Sequence, residues 1–206
     1  MHPSALLIDL DGVIRFWSND DSHIEAACDL PPGAIRRIAF APEFLLPAVC
    51  GVIPDEVWRA NILTELRRLH PASNVDEAVA KWSASHGETN REVLDVIAQC
   101  RPDLRVILAT NATSRLPADL RALRLDDRFH AVANSSEFRV MKPQAEFYAS
   151  ALKLAAVEPG EALYVDDSLP NIDAAAQLGI RSHHFADPVG LLRFLRQSGA
   201  MREQAP

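Results

Sequence analysis

Residues 5–13 read Ala5-Leu6-Leu7-Ile8-Asp9-Leu10-Asp11-Gly12-Val13, an apolar run that ends on two acids and a glycine. The run is too short to span a membrane, and no basic stretch precedes it as a secretory leader would require. It reads instead as a strand, Ala5–Leu10, with a polar end. Outward from it the same pattern recurs at Leu104–Ala109, His130–Ala133, Ala162–Val165 and Arg181–Phe185. Stretches of helical period alternate with these runs, at Ser114–Leu125, Pro143–Ala156, Pro170–Leu178 and Pro188–Gln197. Strand and helix in alternation predict an α/β fold, a Rossmann-like parallel sheet with helices on both faces.

Between the first two strands the alternation stops. From Phe16 to Ser85 the pattern is helical only, punctuated by Pro31-Pro32, Pro42, Pro47, Gly51 to Pro54 and His70-Pro71. This predicts a small inserted α-helical cap over residues 16–85, with residues 1–15 and 86–206 forming the core. Trp58, Ile62, Leu66 and Leu69 recur at three- and four-residue steps and give one cap helix an apolar stripe. A helix from about Thr89 to Cys100 returns the chain to the sheet. The 206 residues suffice for such a core plus lobe, and 48% hydrophobic with 24% charged residues is an ordinary globular composition.

A net charge of -7 argues against a general affinity for nucleic acid or an anionic membrane, since both require a basic face. The three cysteines, Cys28, Cys50 and Cys100, are widely spaced with no C-x-x-C pairing and read as reduced thiols. The cytoplasm is the expected compartment, and a monomer or homodimer the expected state.

Four polar clusters follow four strands. Asp9 and Asp11, two residues apart on an extended chain, would face one ligand and one cation, although Asp-Gly is also an ordinary turn. Thr110-Asn111, before a helix, offers a hydroxyl and backbone N–H groups that suit a phosphate, or simply caps that helix. Lys142 precedes Pro143, which at a first helical turn would aim the lysine. Asp166-Asp167 sets two acids side by side, which a shared cation would relieve; hard oxygen ligands select Mg²⁺, while Asp167 and Ser168 also suit a helix cap. Ligands of open parallel sheets bind beyond the carboxyl ends of the strands, and all four clusters fall there. Together they supply metal ligands, a nucleophile, a hydroxyl and a cation, the set that phosphoryl transfer requires.

At these residues the sequence resembles the haloacid dehalogenase-like hydrolases over nearly its whole length. Asp9-x-Asp11-Gly12-Val13, Thr110-Asn111, Lys142-Pro143 and Asp166-Asp167 look like that family's four motifs in order. The helical insert looks like the small cap of one branch, and the paired acids and Lys-Pro-x-x-x-Phe-Tyr helix resemble its sugar-phosphate phosphatases and the phosphatase domain of epoxide hydrolases. Dehalogenating members lack the second acid of the first motif, so Asp11 favours phosphate esters. Two departures stand out: Arg139 occupies a position where relatives often have glycine, and Asn171 one where many have an acid, which would weaken support for the metal.

The resemblance implies a Mg²⁺-dependent phosphatase acting on a small phosphorylated metabolite, such as a sugar phosphate. Asp9 would be the nucleophile and form an aspartyl-phosphate. Asp11 would protonate the leaving alkoxide, while Thr110, Lys142 and the backbone N–H of Asn111 hold the phosphoryl oxygens. Mg²⁺ would lie on Asp9, the backbone carbonyl of Asp11 and Asp167, with Asp166 behind them. Trp17, Phe44, Trp58 and Arg59 are candidates for the cap surface that selects the leaving group, or else only hold the cap together. His183-His184, on opposite faces of a strand, carry no assigned chemistry, and Arg121, Arg124 and Arg128 read as a solvated face. A phosphomutase of the same family and a catalytically silent module that binds a phosphorylated ligand are the competing readings.

Overall fold

The computed structural model of the chain describes residues 2–17 and 21–202. Its elements in chain order are β1 (Ala5–Ile8), β2 (Arg15–Phe16), α1 (Ser22–Ala27), α2 (Ala34–Ala39), α3 (Pro42–Val49), α4 (Asp55–Leu69) and α5 (Val75–Ala84). Then come β3 (Glu88–Thr89), α6 (Arg91–Ala98), β4 (Arg105–Thr110), α7 (Leu116–Ala122), β5 (Ala131–Asn134), α8 (Ser135–Phe138) and α9 (Ala145–Ala155). The last four are β6 (Ala162–Asp166), α10 (Leu169–Gln177), β7 (Arg181–His184) and α11 (Pro188–Gln197).

Five strands form one parallel sheet in the order β5-β4-β1-β6-β7. The expected α/β architecture is therefore present. β1 lies at its centre and is buried along its whole length, because its side chains alternate between two cores. Leu6 and Ile8 join Val93, Leu116, Leu120, Leu191 and Leu195 on one face. Ala5 and Leu7 join Phe147, Tyr148, Ala151 and Ala175 on the other. A strand buried on both faces reads as a continuous apolar run, which is why β1 was legible. After β1 the chain builds β4 and β5 to one side, then returns to build β6 and β7 on the other. The reversal places a crevice beyond the carboxyl end of β1.

α1 to α5 enclose a third core, including Cys28, Ile35, Trp58, Ile62, Leu66 and Ala78. This lobe leaves and rejoins the sheet through an antiparallel pair, Arg15 opposite Thr89 and Phe16 opposite Glu88. It is also tied to the sheet's rim. Ser135 Oγ donates to the Val49 carbonyl at 2.6 Å, Thr113 Oγ1 to Asp55 Oδ1 at 2.7 Å, and the Asp55 N–H to Ser114 Oγ at 2.9 Å. Gly51, at φ +65°, lies so close to α8 that a Cβ there would sit 2.0 Å from the Ser136 carbonyl oxygen.

Several expectations need correction. β1 ends at Ile8, not Leu10: the Leu10 carbonyl accepts from Val13, Ile14 and Arg15, so the chain curls as soon as Asp9 is passed. Pro47 does not break a helix but lies inside α3. Leu69 is 46% exposed, so the α4 stripe ends at Leu66. Pro143 precedes α9, which begins at Ala145. The β2–β3 pair was not foreseen, since two-residue strands carry no periodic signal. Among the described residues no helix is long and apolar enough to cross a membrane.

Candidate active site

Asp9 is the first residue past β1, and its N–H donates to the Val165 carbonyl at 2.9 Å, extending the sheet's ladder by one bond. This fixes the carboxylate in the crevice. Its Oδ1 accepts the Leu10 N–H at 2.7 Å and lies 2.8 Å from Lys142 Nζ. Lys142 comes from the loop before α9 and is buried, its ammonium also 2.7 Å from Asp166 Oδ2 and 3.0 Å from the Ala109 carbonyl. Burial opposes the charge, but the two carboxylates more than compensate and hold the Lys142 pKa above its ordinary value.

Asn111 secures the lysine's backbone from both sides. Its amide nitrogen donates to the Lys142 carbonyl at 3.0 Å, and its oxygen accepts the Lys142 N–H at 2.9 Å. The Lys142-Pro143 bond is cis. Thr110, the last residue of β4, is buried beside them. α7 starts only at Leu116, so the polar groups of residues 111–113 belong to a loop and not, as expected, to a helix N-terminus.

Asp166, at the end of β6, is wholly buried, and its oxygens are already occupied. Besides Lys142, Tyr164 Oη donates to Oδ2, the Ser168 N–H donates to Oδ1 at 2.8 Å, and Asn171 Nδ2 lies 3.0 and 3.1 Å from the two oxygens. Burial works against ionisation here, yet Lys142 and these donors hold Asp166 below the usual carboxylate range. Asn171 thus reinforces Asp166, a role its amide plays in place of the acid that many relatives have there. Arg139, the other departure, adopts the left-handed conformation, φ 58°, that glycine takes without strain.

Asp167 is exposed and lies over Gly12, where a Cβ would come within 2.0 Å of Asp167 Oδ2. The first and fourth clusters are thereby brought together: one oxygen from each of Asp9, Asp166 and Asp167 lies within 4.8 Å of the others. Asp9 and Asp167 both resist ionisation. Burial, and secondarily Asp166, raise Asp9 to about 7 despite Lys142, and burial with repulsion from Asp166 raises Asp167. Crowded oxygens whose mutual repulsion one ammonium offsets only in part fit a divalent cation with hard ligands. Asp9 and Asp167 would hold Mg²⁺ there, with Asp166 behind them.

The Asp11 carboxylate is not one of those three. Beyond the curl at Leu10 it faces Arg15 and Trp17, accepting Arg15 Nε at 2.6 Å and Trp17 Nε1 at 2.7 Å on Oδ1 and a second Arg15 nitrogen at 2.9 Å on Oδ2. The extended-chain argument for the pair therefore fails beyond Asp9. Arg15 is itself buried and reaches Asp119 of α7 at 3.1 Å, which also accepts from Arg115 and contacts His86 at 2.9 Å. Sequence reading missed Arg15, Asp119 and Tyr164, and placed Trp17 on the cap surface without its bond to Asp11. Tyr164 had a signal, lying two residues before Asp166 and so on the same face of β6.

Between the lobe and this rim lies a cavity of about 530 Å³. Of the cap candidates, Trp17, Trp58 and Arg59 line it, Trp58 also belonging to the lobe's core, while Phe44 packs into that core alone. His183 stacks on Phe194, and His184 Nε2 contacts the Asp167 backbone oxygen at 2.9 Å, so the two histidines have separate partners. The three cysteines are free thiols.

A family model described as haloacid dehalogenase-like hydrolase matches residues 3–179. Among curated proteins, the sesquiterpene phosphatase astK of Aspergillus oryzae is 31% identical over 93 residues, 45% of this chain and 47% of that protein. The chain thus aligns with about half the length of this relative. The HAD family enzyme bt-2542 of Bacteroides thetaiotaomicron, solved with magnesium and inorganic phosphate, superposes with a TM-score of 0.69 at 22% identity, covering 88% of this chain and 93% of that one. The L-2-haloacid dehalogenase of Xanthobacter autotrophicus, with chloropropionic acid covalently bound, gives 0.59 at 21% identity over 98% and 90%. At these identities the two structures bear on the fold alone.

Proposed function

Since the chain belongs to the haloacid dehalogenase-like hydrolases, we propose that it is a Mg²⁺-dependent phosphatase that cleaves a small phosphate monoester through an aspartyl-phosphate on Asp9. The observation that carries this reading is the convergence of Asp9, Asp166 and Asp167 beside the Lys142 ammonium. A carboxylate nucleophile, an acidic cation site and a buried amine at one crevice match what transfer of a dianionic group needs.

Asp9 attacks phosphorus in line, and the bond to the leaving oxygen breaks as the bond to the carboxylate forms. Lys142, fixed by Asn111 and Asp166, meets the phosphoryl oxygens together with Thr110. Bound at Asp9 and Asp167, Mg²⁺ supplies positive charge that offsets repulsion between the carboxylates and the phosphate. Asp11 protonates the departing alkoxide and then takes a proton from the water that hydrolyses the aspartyl-phosphate. The oxygen carrying that proton gives up its donor from Arg15 or Trp17 for as long as it is protonated. The lobe acts as a cap, shielding the charged crevice from water. The presence of Asp11 favours phosphate ester chemistry over dehalogenation, because a halide leaves without a proton.

The test is phosphate release from a panel of phosphorylated compounds, with and without Mg²⁺, by the native chain and by Asp9→Asn. The expected result is Mg²⁺-dependent release that Asp9→Asn abolishes, with an unchanged circular dichroism spectrum. Undiminished turnover by Asp9→Asn would falsify the nucleophile assignment.

A further inference from the structure

The cavity between lobe and sheet opens onto Asp11 and Asn111, where the leaving group of an ester held at Asp9 would project. Its walls are unusually aromatic: Trp17, Phe40, Trp58 and Trp82 line it together with Leu45 and Leu116. Its volume of about 530 Å³ falls within the range of small-molecule sites, and such sites take their specificity from the few polar groups they present.

In this cavity most of those polar groups already hold one another. Both ends of the Asn111 amide are bound to the Lys142 backbone, and the Thr113 hydroxyl donates to Asp55. The four lysine and arginine side chains of the wall each have an acid: Arg15 has Asp11 and Asp119, Arg36 has Asp21 at 3.8 Å, Arg59 has Asp55 at 2.5 Å, and Lys81 has Glu77 at 2.6 Å. The guanidinium groups further lie against the rings, Arg15 4.4 Å from Trp17, Arg36 4.9 Å from Phe40, and Arg59 5.3 and 5.0 Å from Trp58 and Trp82. A polyol buried here would have to share donors and acceptors that already hold one another, and a second anionic group would compete with the acids already paired to these cations. A hydrocarbon body needs no polar partner and gains aromatic contact.

We infer that the leaving alcohol is an uncharged hydrocarbon body, branched or aromatic, and not a sugar. This rests on the phosphatase reading above and names the substrate class of that same site. Phe40 and Trp82 are the residues by which the cavity selects it. Phe40 is 48% exposed at the C-terminus of α2 and lies outside the lobe's core, so truncating it should leave the fold intact.

The experiment measures phosphate release with Mg²⁺ from geranyl phosphate and 1-naphthyl phosphate, from glucose 6-phosphate and glycerol 3-phosphate, and from acetyl phosphate as a small reactive reporter of Asp9 chemistry. We expect kcat/KM for the hydrocarbon esters to exceed that for the two polyol esters by about 100-fold. Phe40→Ala and Trp82→Ala should each raise KM for the hydrocarbon esters and narrow their advantage over acetyl phosphate by about tenfold or more. Hydrolysis of acetyl phosphate with the polyol esters equal or preferred overturns this inference and leaves the phosphatase reading standing. An unaltered preference in both variants also overturns it. Failure on every compound, acetyl phosphate included, removes the phosphatase reading and this inference with it.

Discussion

At Asn171 an amide does what a carboxylate could not, donating toward both oxygens of the buried Asp166. Removing it leaves an ionised acceptor short of partners. Asn171→Ala should therefore cost about 2 kcal/mol in a denaturant melt. Asp9 makes the opposite kind of prediction. Its carboxyl, raised from 3.8 to about 7, keeps a proton in the folded metal-free chain that the unfolded chain has already lost. Between these values the folded state binds more protons, so the contribution of Asp9 to stability falls as pH rises. A cation that replaces the proton gains most at the upper end. The Mg²⁺-induced rise in Tm should be small at pH 5, grow toward pH 7 and flatten beyond it, and Asp9→Asn should reduce this dependence to the share that Asp167 contributes. A shift that is equally large at pH 5 would contradict the assignment.

Among the elements, the strand runs were readable because parallel strands covered on both faces are apolar throughout, and their polar ends marked the crevice. The boundaries moved by one or two residues, and the largest consequence was at β1. There the curl at Leu10 separates Asp11 from Asp9 and gives it to Arg15 and Trp17. Nothing in local periodicity announces that Arg15 will reach Asp119, because a contact between residues so distant in the chain is created by folding. The lobe was legible as a helical interruption, although Pro47 misled because a proline near the end of a short helix costs few backbone bonds. The contact of α3 with α8 bears on how the lobe sits. Gly51→Ala would thrust a methyl into the Ser136 carbonyl, so that edge of the lobe must move away. The expected outcome is faster hydrogen exchange at the Asp55 amide, which now donates to Ser114. Exchange rates unchanged from the native chain would show that the backbone absorbs the methyl locally.

In the molecule as a whole, three hydrophobic clusters divide the labour: two grip the faces of the sheet, and the third belongs to the lobe. Their separation explains why the convergence of Asp9, Lys142, Asp166 and Asp167 could be anticipated from motif order while the lining of the cavity could not. The crevice is fixed by strand order within one sheet, whereas the cavity depends on how two independently packed bodies face each other. The antiparallel pair of β2 and β3 has a further consequence. Because the chain departs and comes back at adjacent points, the entire excursion is topologically a single long hairpin loop. Excising residues 17–87 and joining Phe16 to Glu88 through a tight two-residue turn should leave a five-stranded protein that still folds, checked by its circular dichroism and cooperative melting. Such a fold can lose or exchange its headpiece while the crevice of Asp9, Lys142, Asp166 and Asp167, built by the sheet and its own loops, stays in place.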